Sequence, residues 1–188
     1  MSERFERVIA AIDAANAADP NLDEATGRPA SVLYGERMSE ELDRLAPDAA
    51  EAVKIAARGQ HIERWTSPRE SYPEGRAGYL AWRTDLAKFH AGRVTGLMAE
   101  AGYDEAERDA VASLLRKEGI KRNPDMQLLE DVICFVFVRH YFTPFAAKHA
   151  DEDVMRILTK TARKMSAEAR ARMAEEFDLP PHLAPALA

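Results

Sequence analysis

The run Val132-Ile133-Cys134-Phe135-Val136-Phe137-Val138, VICFVFV, decides how this chain is read. It lies within a stretch from about Asp125 to Lys148 that reads as one helix, and in this run the helix is apolar on every side. A helix with no polar face belongs at the centre of a bundle, covered by other elements. The rest of the chain supplies them. Apolar spacing is helical nearly everywhere, and no segment alternates convincingly as a strand. The expectation is an all-α fold: a compact multi-helix domain around a buried central helix.

Outward from that run, Asn123 and Pro124 read as the N-cap and first residue of the central helix. EGIKRNPD links it to a preceding helix of about Asp104 to Lys117, and a long helix of about Tyr79 to Ala101 comes before that. Gly102 stands where a left-handed C-cap is expected. TSPRESYPEGRAG is a long loop with two prolines and two glycines, and loops of that length are often functional. Earlier helices run from after Pro47 to near Trp65, from about Ser31 to Leu45, and from about Arg4 to Ala17. Two shorter amphipathic helices, about 152–164 and 167–176, follow the central one. The expected organisation is one domain over 1–188, with a core of about 30–148 and the helices at 4–17 and 152–176 added to it.

A chain of 188 residues with 46% hydrophobic and 31% charged residues is long enough to bury a core and is ordinary for a soluble domain. A net charge of −6 argues against broad binding to nucleic acid and leaves room for a local basic pocket. No apolar run approaches the ~20 residues that span a bilayer. MSERFERVIA is too charged for a secretory signal. Cys134 is the only cysteine, which excludes an intrachain disulfide and a thiolate zinc cage. The expectation is a cytoplasmic protein with neither membrane nor nucleic-acid partners.

The candidate site centres on QHIERW, Gln60 to Trp65. Read as the end of the third helix, Val53, Ala56, Ala57, Gln60, His61, Arg64 and Trp65 share one face, so Gln60 and His61 fall at the polar rim of the core. On the fourth helix Arg83 and His90 interrupt an apolar stripe of Leu86, Val94 and Leu97. Glu130 and Asp131 precede the most apolar run, where a carboxylate must be solvated, paired or bound to a cation. Polar residues converging from several helices are a usual ligand site in a bundle, although each one is as readily a satisfied core group. Arg64, Arg69, Arg83, Lys117 and Lys121 flank the two long connections beside Trp65 and other aromatics. Guanidinium forks there suit an anionic or phosphorylated small molecule, and the aromatic faces could stack on the base of a nucleotide.

The blocks DAANAADP, YGERM, QHIERWTSPRESYP, GYLAWRTDLAKFHA and LEDVICFVFVRHYFTPFAAKH together resemble the domain-of-unknown-function 4202 family over nearly the whole chain. That family carries no established activity. A more distant resemblance is to HD-type phosphohydrolases, all-helical proteins that bind divalent metals through histidine and aspartate. In this sequence Tyr34 stands at the first histidine position, Gln60-His61 replaces the His-Asp dyad, and only Asp131 matches a ligand directly. The resemblance implies a rearranged site of His61, His90, Glu118 and Asp131 for a divalent metal, with His61, His90 and Asp131 as catalytic candidates, while helical periodicity and the cationic rim put Gln60, Arg64, Trp65, Arg69, Arg83, Lys117 and Lys121 around the ligand. Two functions remain open: hydrolysis of a phosphorylated molecule, or binding without turnover on a degenerate scaffold. HIER and KMS superficially match class I aminoacyl-tRNA synthetase signatures, but those need a parallel sheet that this pattern lacks. Ser166 reads more simply as an N-cap.

Overall fold

The computed structural model describes residues 2–178, 180 and 182–187. Among them the only β-type feature is an isolated bridge between Leu22 and Pro29, and nine α-helices carry the fold. None of these helices is long and apolar enough to cross a membrane. The chain packs as two compact units, 1–118 and 119–188, so the boundary falls inside the stretch expected as core.

In the first unit α1 (Glu3–Asn16) starts where the Ser2 hydroxyl accepts from the Phe5 amide, and it buries Phe5, Val8 and Ile12. Next, α2 (Ala30–Leu45) begins directly after Pro29, and α3 (Glu51–Arg58) buries Val53, Ile55, Ala56 and Ala57. The 26-residue α4 (Gly75–Glu100) and α5 (Glu105–Leu115) complete the unit. A capping box opens α5: the Asp104 side chain accepts from the Glu107 amide while Glu107 accepts from that of Asp104. Gly102 adopts φ 90°, as the left-handed cap between α4 and α5 requires. Helix α3 is the middle element, packing on α1, α2 and α5, while α4 packs on α1 and α5. Polar ties cross the bundle. Arg58 holds Asp13 through two bonds of 2.6 Å, and Arg4 pairs with Glu107.

The third helix is shorter than its sequence pattern predicts. It ends at Arg58, and Gln60 to Glu63 form a turn that leads into a 3-10 turn at Arg64–Thr66. Two tertiary causes override the periodicity. Gly59 passes so close to α4 that an added Cβ would sit 2.5 Å from Val94 Cγ2. Glu63 adopts a left-handed φ of 49°, held by its amide donating to Asn16 Oδ1 at 2.9 Å and by its carboxylate pairing with Arg93.

In the second unit α6 (Pro124–Val136) starts at the expected Asn123 cap, whose side chain accepts from the amides of Asp125 and Met126. Val132, Cys134, Phe135, Val136 and Val138 are buried, which agrees with the all-round apolar reading. The helix expected to reach Lys148 is not uniform. It widens into a π turn at Phe137–Tyr141 before α7 (Phe142–Ala146). Pro144 is the local reason: it has no amide to offer the His140 carbonyl, and its ring crowds that oxygen. After α7 come α8 (Asp151–Ala162) and α9 (Ala167–Glu176), the latter capped by Ser166 as expected.

Candidate functional site

A cavity of about 350 Å3 opens in the first unit where the turn after α3 meets α4 and the end of α5. Its lining includes Gln60, His61, Arg64, Arg83, His90 and Lys117, so the polar interruptions of the two apolar stripes do converge. Five basic side chains and one carboxylate face it, a local reversal of sign in a chain of net charge −6. The carboxylate is Glu118, whose oxygen accepts from Arg116 Nε at 2.7 Å.

Each wall has an identifiable cause. His61 lies flat on Tyr34 of α2, ring centroids 3.8 Å apart at 14°, and its centroid is 6.1 Å from that of His90. The Arg64 guanidinium sits 4.8 Å above the Trp82 ring, and its Nη1 is 3.3 Å from His61 Nε2. Arginine is always a donor, so His61 Nε2 accepts there and the imidazole proton belongs on Nδ1. Trp82 is held in turn by donating to the Ser67 carbonyl at 2.9 Å. From α4, Leu80, Arg83, Thr84, Ala87 and Lys88 follow helical spacing along one edge of the cavity. Among the described residues neither Arg64 nor Arg83 is paired with a carboxylate. Gln60 and His90 are only 6% and 4% exposed, and Gln60 Oε1 and His90 Nε2 have no hydrogen-bond partner in the protein.

Both imidazoles are neutral near pH 7. Burial, then the charges of Arg64 and Arg83, pushes His90 down to about 3. Burial, then Arg64, His90, Arg83 and Lys117, pushes His61 well below its ordinary value. In the unfolded chain both titrate near ~6.5, so below that pH the unfolded state binds protons that the folded state refuses. Their contribution to stability is therefore complete above ~6.5 and declines as pH falls toward the folded values, by at most ~1.4 kcal/mol per pH unit for each histidine. Denaturant titrations between about pH 6.5 and 5, a window above most carboxylate titration, should show this slope, reduced in His90→Phe. A flat profile there would mean that both rings charge without opening the site.

The other sequence candidates are placed elsewhere. Trp65 and Arg69 are not among the lining residues, and Arg69 instead closes its loop by donating to the carbonyls of Tyr72 (3.0 Å) and Pro73 (2.9 Å). Lys121 lines a different cavity, in the second unit, with Arg122 and Arg170. Asp131 is also in the second unit, where it ties α6 to the start of α9. It accepts from the Ser166 amide and hydroxyl, both at 2.8 Å, and from Gln127 Nε2 at 3.0 Å. Burial still raises its pKa, although those bonds oppose the shift. Among the described residues no three His, Cys, Asp or Glu side chains gather to hold a metal ion, so the expected set of His61, His90, Glu118 and Asp131 does not form such a cluster. Sequence reasoning missed Lys88 and the stacking of Tyr34 on His61. Helical spacing from Arg83 would have reached Lys88, whereas nothing local marks the stack of Tyr34 on His61.

The fold and cavity describe an all-helical protein with a cationic pocket. The family described as domain of unknown function (DUF4202) matches residues 6–187, and the chain belongs to that family. No curated protein and no solved structure matches the chain.

Proposed function

We propose that the cavity between the α3–α4 connection, α4 and the end of α5 binds an anionic small molecule of the phosphorylated class. The observation that carries this reading is Arg64 and Arg83 turned into one partly enclosed space with no carboxylate between them. Two neighbouring guanidinium groups repel and lose hydration there, and a phosphoryl oxygen set relieves both costs through forked, charge-assisted bonds. Lys88 and Lys117 add charge at the rim, and the neutral imidazoles add hydrogen-bonding atoms without adding repulsion.

Binding without turnover is the form the geometry supports best. Asp131, the one direct match to a metal-ligating position, is occupied with Ser166 and Gln127. The hydrolytic form would need His61 or His90 to activate water, a role a neutral imidazole can fill.

The test is calorimetry and thermal shift with pyrophosphate and inorganic phosphate against chloride at matched ionic strength, with phosphate release followed in parallel. A site-specific rise in melting temperature, lost in Arg64→Gln and kept in Lys121→Gln, is the expected result. Equal loss in both variants would reduce the effect to general surface charge. Phosphate release that depends on His61 would replace binding by hydrolysis.

A further inference from the structure

We infer that the ligand of this cavity is a hydroxyl-bearing monophosphate, a sugar or polyol phosphate, whose hydroxyls reach Gln60 and His90 while its phosphate meets Arg64 and Arg83. This rests on the anion-binding reading above and specifies the rest of the molecule.

Two side chains of the cavity lining each carry a buried atom without a partner in the protein. Gln60 and His90 both line the cavity and are more than nine-tenths buried, and Gln60 Oε1 and His90 Nε2 have no hydrogen-bond partner in the protein. A buried polar atom without a partner is costly, and folded proteins match nearly all of them. The amide oxygen of Gln60 only accepts. A phosphate oxygen also only accepts, so an anion held by the arginines does nothing for Gln60. The neutral ring of His90 donates or accepts at Nε2 according to its tautomer. A hydroxyl fits both in either tautomer of His90, because it donates and accepts at the same atom. An alkyl group would leave both atoms unmatched, and a second anion would face Gln60 with like partial charge.

Size narrows the class further. About 350 Å3 is near the lower end of small-molecule sites, which span ~300–1,000 Å3. That volume suits a short polyol or single sugar ring with one phosphate and is small for a dinucleotide. The apolar part of the wall, Leu86, Ala87 and Leu115, suits the carbon skeleton between the two ends.

The experiment is calorimetry on the full chain with glycerol 3-phosphate, ribose 5-phosphate and glucose 6-phosphate, each compared with propyl phosphate, which has the same charge and no hydroxyl. At least one hydroxylated ligand should bind about tenfold tighter than propyl phosphate, the discrimination expected when a ligand satisfies rather than strands buried polar atoms. Gln60→Leu and, separately, His90→Phe should bring that ratio toward one, while Arg83→Gln weakens every phosphate. Gln60→Leu removes an unmatched acceptor at nearly constant shape, so it should melt no lower than the native protein, which keeps the comparison independent of folding. Equal affinity for propyl phosphate and all three hydroxylated ligands, with Arg83 still required, would overturn this inference and leave the anion site standing. Absence of binding by any of the four would overturn both.

Discussion

Gly78→Ala should destabilise the protein by about 3 kcal/mol, the upper part of the range for forced overpacking, although alanine is the better helix former. Gly78 lies in the first turn of α4, and a Cβ added there would fall 1.8 Å from the Pro73 carbonyl oxygen and 2.7 Å from its carbon. Those are backbone atoms, so no rotamer change relieves the clash. The loop must move, and Arg69 is bonded to the carbonyls of Tyr72 and Pro73 in that same loop. Gly92 and Gly96 of the same helix provide the control, since neither has a neighbour within 4 Å of the added Cβ. Alanine at either should stabilise by roughly 0.5–1 kcal/mol. Denaturant unfolding of the three variants measures this directly, and a neutral Gly78→Ala would show that the loop can retreat from α4 freely.

Arg83→Gln should weaken pyrophosphate binding by about 10- to 100-fold, the range for removing hydrogen bonds to a charged partner. Glutamine keeps most of the aliphatic stem and some donor capacity, so the loss reads charge and fork geometry rather than packing. Arg83→Lys should fall between the two, because a point charge remains while the planar pair of donors is lost. Native binding should weaken as salt rises, and the variant should show a shallower dependence. Calorimetry at two ionic strengths decides it. An unchanged affinity in Arg83→Gln would remove this residue from the site.

The parts of the fold that could be read in the sequence are those settled within a few residues. The Asn123-Pro124 start, the Gly102 cap and the Ser166 cap each depend on chemistry inside one turn, and each is present. The end of α3 was not legible. Val53 to Trp65 keeps helical spacing without interruption, yet Glu63 is held out of the helix by Asn16, 47 positions earlier, and Arg93, 30 positions later. Periodicity carries no record of such partners. For the site, the same spacing argument still brought Gln60, His61, Arg83 and His90 to one cavity, because an interrupted apolar stripe faces inward whether the helix continues or turns. Asp131 shows the opposite case. The sequence showed that a carboxylate beside VICFVFV needs a partner, and Ser166, 35 positions on, supplies it from a cap that was read for a different purpose.

The left-handed turn at Glu63 also bears on the thermodynamics of the proposed ligand capture. Its amide and carboxylate are already engaged by Asn16 and Arg93, and the next residue, Arg64, rests on a tryptophan that is itself tethered to Ser67. The wall proposed to meet an anion is thus already held in place by the protein's own contacts. Little backbone entropy remains to be lost on association, and ordering is confined to the ligand and to exposed stems such as that of Lys88. Preorganisation of this kind lets a small molecule with few contacting atoms bind tightly for its size. Under the proposed binding, Asn16, on a helix that lines no part of the cavity, would control affinity through the shape of one turn.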